Sequence, residues 1–307
     1  VEKQQGLDNR QMRKFLLFIA TLAITLSFSA AFGQKQMNAS DEYSSGILKW
    51  HEDRQTKLRA EDGWLTLAGL FWLQEGENKF GSADSNEIML PKSAPANAGS
   101  LVFKQGKVSL HLNPGTQITL NGKPALDVEL RPDSDKLQSG AVTMYVIKRG
   151  EKTGIRIKDK NNKARQEFKG LSYYKTDPKL RIVADFIPYN PPKMVGIPTV
   201  LGTVDQEPSP GRAEFEIDGK KLSLEPVEED AETLFFIFKD QTAGSETYGA
   251  GRFLYTPRPK DGKLVLDFNR AENPPCAFTP FATCPLPPPQ NRLAIPIRAG
   301  EKKYGNH

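Results

Sequence analysis

The 307-residue chain is poor in the side chains that most often carry chemistry. It has two cysteines, Cys276 and Cys284, and three histidines, His51, His111 and His307, far apart in sequence. So sparse a set rules out a histidine-rich metal centre or a multi-cysteine zinc module. No glycine-rich phosphate loop, nucleophile elbow or zinc-protease helix motif is present. His111, between Leu110 and Leu112 of a predicted strand, has no serine pointed out for it. Charge of one sign is also scarce. Lys and Arg number 42 against 37 Asp and Glu; beyond the first 33 residues the balance is 38 to 35. That small, scattered excess, with no basic run interleaved with aromatics, argues against a nucleic-acid partner. Long apolar runs are almost absent. The one stretch of note, Phe15 to Phe28, is shorter than the ~20 residues a spanning helix needs.

That stretch has another reading. Met12-Arg13-Lys14 precedes it, and Ala31-Phe32-Gly33 places small residues at the −3 and −1 positions before Gln34. This is the pattern of a secretory signal peptide, with Val1 to Gln11 lying upstream of the initiator. The expectation is an exported protein, periplasmic or extracellular, with no membrane span once the leader is removed. No cysteine near the cleavage site offers a lipid attachment.

With 38% hydrophobic and 26% charged residues, the remainder has the composition of a folded domain rather than a disordered chain. Ser40 to Asp62 is predicted as one helix. Ser40 serves as cap, Asp41 and Glu42 suit its positive end, Tyr43, Ile47, Trp50 and Leu58 recur at helical spacing, and Gly63 is the stop. From Trp64 onward the signals are β. Trp64 to Leu73 is a dense apolar run, followed by short runs at Glu87–Leu90, Ser100–Lys104, Lys107–Leu112, Thr116–Leu120 and Ala125–Leu130. Asn121-Gly122 marks a two-residue hairpin. A second series begins at Val142 and continues to Phe268, with Asp218-Gly219 as another hairpin turn. One helical turn is predicted within Lys158–Glu167. The proline-rich stretch Asn273 to Pro289 cannot sit in a central strand and is expected to run over the surface or plug the end of a barrel. The fold class is therefore all-β: a small sandwich strapped by one helix, then a larger antiparallel barrel or curled sheet. The expected divisions are 1–33 leader, 34–63 helix, 64–135 sandwich and 136–307 barrel-like domain.

Several motifs together resemble a bacterial family known as domain of unknown function 1684. They are Glu61-Asp-Gly-Trp-Leu-Thr-Leu-Ala-Gly-Leu-Phe-Trp-Leu, Phe235-Phe-Ile-Phe-Lys-Asp, Glu246-Thr-Tyr-Gly-Ala-Gly-Arg-Phe-Leu, Asp267-Phe-Asn-Arg and Asn273-Pro-Pro-Cys-Ala-Phe-Thr-Pro-Phe-Ala-Thr-Cys-Pro-Leu-Pro-Pro-Pro. The family implies a fold but no activity. Gly76-Glu-Asn-Lys-Phe-Gly-Ser-Ala-Asp-Ser-Asn-Glu-Ile-Met-Leu-Pro, with Asn121-Gly122 downstream, also resembles the strand pattern of forkhead-associated sandwiches. Those domains read phosphothreonine through an arginine beside the first glycine and a Ser-x-x-His segment. Here Phe80 and Ser82 flank Gly81 and no such segment follows.

The leading candidate site is a C-terminal polar set. On one strand Glu246, Tyr248 and Arg252 would share a face, and Asp267 and Asn269 would share one on the next, with Arg270 and Asn273 just beyond. Such a set could hold a small polar or anionic ligand through Arg252. Alternatively it could serve an envelope hydrolase or isomerase with Glu246 or Asp267 as general base. The third reading is a structural envelope protein, in which these residues form only an ordinary half-solvated strand face. No cofactor or metal is called for. Cys276 and Cys284, close in sequence in an exported chain, are expected to form a disulfide. The family resemblance implies a pair of buried thiols as the alternative.

Overall fold

The computed structural model describes residues 38–305, so the leader expectation and His307 lie outside it. Two compact units are distinguished, Val1–Ser45 and Gly46–His307. The first contributes only the opening of the helix Ala39–Arg59 to the described residues. The cap is Asn38 rather than Ser40: its Oδ1 accepts from the Asp41 N–H at 2.8 Å, satisfying a donor that the first turn leaves open. At the other end the helix stops at Arg59, three residues before Asp62. Gly63 then lies so close that a Cβ there would sit 2.5 Å from the carbonyl oxygens of Lys57 and Leu58. Only glycine permits this turn.

Within the second unit, residues 67–159 form a β-sandwich. One sheet runs Ile88–Met89, Gly76–Gly81, Gly99–Lys104, Lys107–Leu112, Val128–Leu130 in spatial order. The other runs Leu67–Trp72, Lys152–Asp159, Val142–Arg149, Leu137–Ser139, Thr119–Leu120, Lys123–Pro124. Alternate residues face a shared core: Phe80, Leu101 and Leu110 from the first sheet, and Val142, Met144, Val146, Ile155 and Ile157 from the second. Asn121 (φ 51°) and Gly122 (φ 80°) close their hairpin with positive φ at both positions, the conformation that suits the twist of the flanking strands. The hairpin Val142–Asp159 thus completes the first sandwich instead of opening the second region. The division expected near 131–140 falls inside this sheet.

The second region contains two further antiparallel sheets. Lys220–Leu224, Val204–Ile217, Arg181–Pro198 and Lys263–Asp267 form the larger, and Val227–Glu228, Thr233–Phe238 and Arg252–Pro257 the smaller. The turn Asp218-Gly219 repeats the positive-φ pair (49° and 76°). Phe215, Leu224, Phe236, Phe238, Leu254 and Leu266 lie in their common core, with Leu293, Ile295 and Ile297 added from the C-terminal segment. The described sheets remain open rather than closing into a barrel. The expected helical turn is present at Lys163–Gln166, capped by Asn162.

The proline-rich segment packs along the ends of these elements. The Leu286 N–H donates to Pro198 O at 2.7 Å and the Val200 N–H to Cys284 O at 3.1 Å, while Ala282 and Cys284 join a small core with Val195, Ile197, Phe235, Ile237 and Phe253. The helix packs here too. Leu58 meets Leu65, Phe168, Ala277 and Phe278. No helix among the described residues is long and apolar enough to cross a membrane.

Candidate functional site

The structure separates the polar set that the sequence groups together. Residues 241–251 form turns, not a strand, and the strand begins only at Arg252. The Glu246 and Thr247 N–H groups both donate to Thr242 O, at 2.9 and 3.0 Å, so alternation along a strand does not apply to Glu246 and Tyr248. Glu246 lies at the surface, held by Arg298 at 2.8 Å and by the Tyr174 hydroxyl at 3.0 Å. These partners, Arg298 first, lower its pKa, which makes it a poor base. The Tyr248 hydroxyl donates to Cys276 O at 3.2 Å.

Arg252 is buried, 1% exposed. Its Nη2 donates to Asp240 Oδ2 at 2.7 Å and to Ile297 O at 2.8 Å, and its Nη1 to Ala299 O. Asp240 in turn accepts from Thr242 and from the Ile297 N–H. This network ties the C-terminal segment to the sheet. Asp267 caps the short turn Phe268–Arg270 and lies 3.5 Å from Arg270. Asn269 brackets the backbone of Asp177 with two bonds of 2.8 Å. Asn273 donates from its amide N–H to Glu301 and from its side chain to Lys302 O. These residues make contacts within the fold, and none of them lines the cavity described next.

A cavity of about 400 Å³ exists elsewhere, built from side chains the sequence does not single out. One part of the lining comes from the sandwich. Arg156 lies on the strand Lys152–Asp159, on the face opposite Ile155 and Ile157. That face would be solvated in an isolated sandwich, but the proline-rich segment covers it and leaves Arg156 4% exposed. The Thr283 hydroxyl accepts from Arg156 Nη2 at 3.1 Å and from Arg149 Nε at 3.2 Å. The Trp64 ring centroid is 5.9 Å from the Arg156 guanidinium. Arg156 Nε is buried without a partner, and no described carboxylate lies within 4 Å of its guanidinium.

Another part of the lining carries carboxylates. Glu272 is fixed by a backbone pair with Phe253, 2.9 Å in both directions, and its Oε1 is 3.4 Å from Arg54 Nη1. Burial pushes Glu272 up to about 7; Arg54 opposes the shift and Glu301 adds to it. Burial also raises Glu229, with Asp230 adding to the effect. Aromatic rings also line the cavity. Phe235 stacks on Tyr255 (4.8 Å, 7°) and meets Phe253 edge-on (4.8 Å, 89°). No group of three potential metal ligands occurs among the described residues.

Cys284 also lines this cavity. Contrary to the expected disulfide, both cysteines are free. The Cys276 N–H donates to Cys284 Sγ at 3.1 Å. A thiol–thiol hydrogen bond lowers the pKa of Cys276 and raises that of Cys284, which burial raises further. Cys284 is buried and Cys276 half-buried.

A search of the curated proteins finds no match. Among solved structures, an uncharacterised protein of Haloarcula marismortui shares 31% identity over 45% of this chain and 78% of its own, with a TM-score of 0.38. A protein from a structural and functional study of phosphothreonine-dependent FHA domain interactions shares 18% identity over 29% of this chain and 92% of its own, with a TM-score of 0.22. The family model described as "Protein of unknown function (DUF1684)" matches residues 166–302. That stretch holds Glu229, Glu272, Thr283 and Cys284 of the cavity, while Arg54, Arg149 and Arg156 precede it. The chain is a member of the DUF1684 family.

Proposed function

We propose that this protein is exported and binds a small ligand through an anionic group at Arg156, Arg149 and Thr283. The observation that carries the reading is the state of Arg156, a buried guanidinium with an unpartnered Nε at the wall of a cavity and no described carboxylate beside it. Burying an isolated charge is costly, and a guanidinium matches carboxylate and phosphate oxygens in geometry as well as charge. An anion would satisfy both the charge and the open donor. The cavity volume suits a small molecule. Export is supported by the basic-then-apolar segment from Met12 to Phe28 and the small residues at Ala31 and Gly33; detection of the chain beginning at Gln34 outside the cytoplasm tests it.

The binding experiment is a thermal-shift screen with inorganic phosphate and simple carboxylates. A saturating anion is expected to raise the melting temperature by a few degrees, roughly 2–4 °C. Arg156→Met should abolish the rise, whereas Glu246→Gln should keep it. No rise with any anion, or a rise that survives Arg156→Met, refutes the assignment. A second reading, a hydrolase or isomerase with a carboxylate base, is favoured by Glu272, which burial holds near half-ionisation at neutral pH, the poise suited to proton transfer. A product formed from a substrate panel by the wild type and not by Glu272→Gln would establish it.

A further inference from the structure

The cavity contains a second charged group, opposite in sign to Arg156. The Glu272 carboxylate accepts no hydrogen bond from any described residue, and its close partner is Arg54 Nη1 at 3.4 Å. Arg54 is committed elsewhere. Its Nε donates to Glu301 Oε1 at 2.9 Å and its Nη2 to Asn273 O at 2.9 Å. One guanidinium therefore serves two carboxylates and leaves one negative charge in surplus when both are ionised. Glu229 adds to the acidic character of the lining, beside Tyr255. Arg156 has no described acidic partner, and the one near Arg149 is the exposed Asp133, 3.9 Å away. Besides burial, the charges that shift Glu272 are those of Arg54, Glu301 and Lys57. The basic and acidic parts of the lining thus have different charged partners, and Phe235, Phe253 and Ala282 line the same cavity.

We infer that the occupant is zwitterionic: its anionic group meets Arg156 and Arg149, and an ammonium meets Glu272 beside the Tyr255 ring. The inference rests on the anion-binding reading and extends it to the other end of the ligand. An ammonium supplies donors to a carboxylate that has none, and the charge that the Arg54 cluster lacks. Tyr255, stacked on Phe235, presents an aromatic surface suited to a cation. A neutral hydroxyl would satisfy the hydrogen bond but leave the surplus charge.

The test is calorimetric titration of the full chain with matched pairs: ω-amino carboxylates of about two to eight carbons against the same carboxylates without the amine, and ω-aminoalkyl phosphates against alkyl phosphates. The best amino ligand should bind at least about tenfold tighter than its deaminated partner, the order of effect of one desolvated charge pair. Glu272→Gln should bring that ratio close to one, chiefly by weakening the amino ligand. For the carboxylate pairs, neither of whose ligands titrates near neutrality, the ratio should grow as pH rises through about 7. There Glu272 ionises among Arg54, Lys57, Glu301, Glu229, Tyr173 and Tyr255. Equal affinities within every pair, or a ratio unchanged by Glu272→Gln, overturn the zwitterion while leaving the anion site intact. If no carboxylate or phosphate of either series binds, both readings fall. Should the variant not fold, the wild-type ratio still decides.

Discussion

Of the arginines buried among the described residues, Arg252 and Arg156 are buried for different reasons. Arg252 is 1% exposed and Arg156 4%, and each leaves its Nε without a partner. Arg252, however, has Asp240 at 2.7 Å and the carbonyls of Ile297 and Ala299, and it lies away from the cavity. Its charge is neutralised within the protein. Arg156 has one hydroxyl, that of Thr283, and a cavity in front of it. Burial of a charged group does not by itself mark a binding site. What separates the two is whether the fold already supplies the counter-ion.

The largest expected effect is at Arg252. Truncation to Ala would leave Asp240 buried without its cation, a lesion that typically costs about 3–5 kcal/mol, read as a lower urea midpoint. Retained stability together with lost anion binding would reverse the roles of the two arginines. Next comes Glu272→Gln. Burial raises the folded-state pKa of Glu272 to about 7, above the unfolded value near 4.3. Below about pH 4 both states are protonated and the group contributes nothing. As pH rises the unfolded state ionises first, so native stability falls until about pH 7, by roughly 3 kcal/mol in all. The variant should therefore unfold later than the wild type at pH 8, by roughly 3 kcal/mol, and match it near pH 4. A difference independent of pH would contradict that environment for Glu272.

Arg156→Met should change stability by less than about 1 kcal/mol, because it removes an uncompensated buried charge along with one hydrogen bond. A loss as large as that at Arg252 would make Arg156 a structural residue too. Among the thiols, Cys276 has the lowered pKa and Cys284 the raised one. Alkylation followed by peptide mapping should label Cys276 first; the reverse order would contradict the hydrogen-bonding direction. Smallest of all, Glu246→Gln disturbs only a surface cluster with Arg298 and Tyr174, and its melting curve should overlay that of the wild type.

The contrast also shows what was legible in the sequence. Asn121-Gly122 and Asp218-Gly219 declare their turns, because positive φ at consecutive residues requires those residue types. The alternation of Val142, Met144 and Val146 declares a strand with a buried face, but not that this face joins the core shared with Phe80, Leu101 and Leu110. The candidate site was less legible still. Arg156, flanked by Ile155 and Ile157, has the local pattern of any solvent-facing strand residue. Its burial depends on Thr283, 127 residues away. Arg54 depends on Glu301 at a separation of 247. Glu246 and Tyr248 misled for the converse reason: hydrogen bonds to Thr242 O turn a stretch with strand-like alternation into a tight turn. The one local hint was Glu272, just after the Asp267-Phe-Asn-Arg motif and just before the proline-rich segment.

The account turns on Arg156 as an anion receptor, and a crystal of the protein soaked with inorganic phosphate tests it most directly. The predicted result is an anion within hydrogen-bonding distance of Arg156 Nε and the Thr283 hydroxyl, absent from crystals of Arg156→Met. A cavity filled only by water at saturating phosphate, or an anion bound solely at surface lysines, would contradict it.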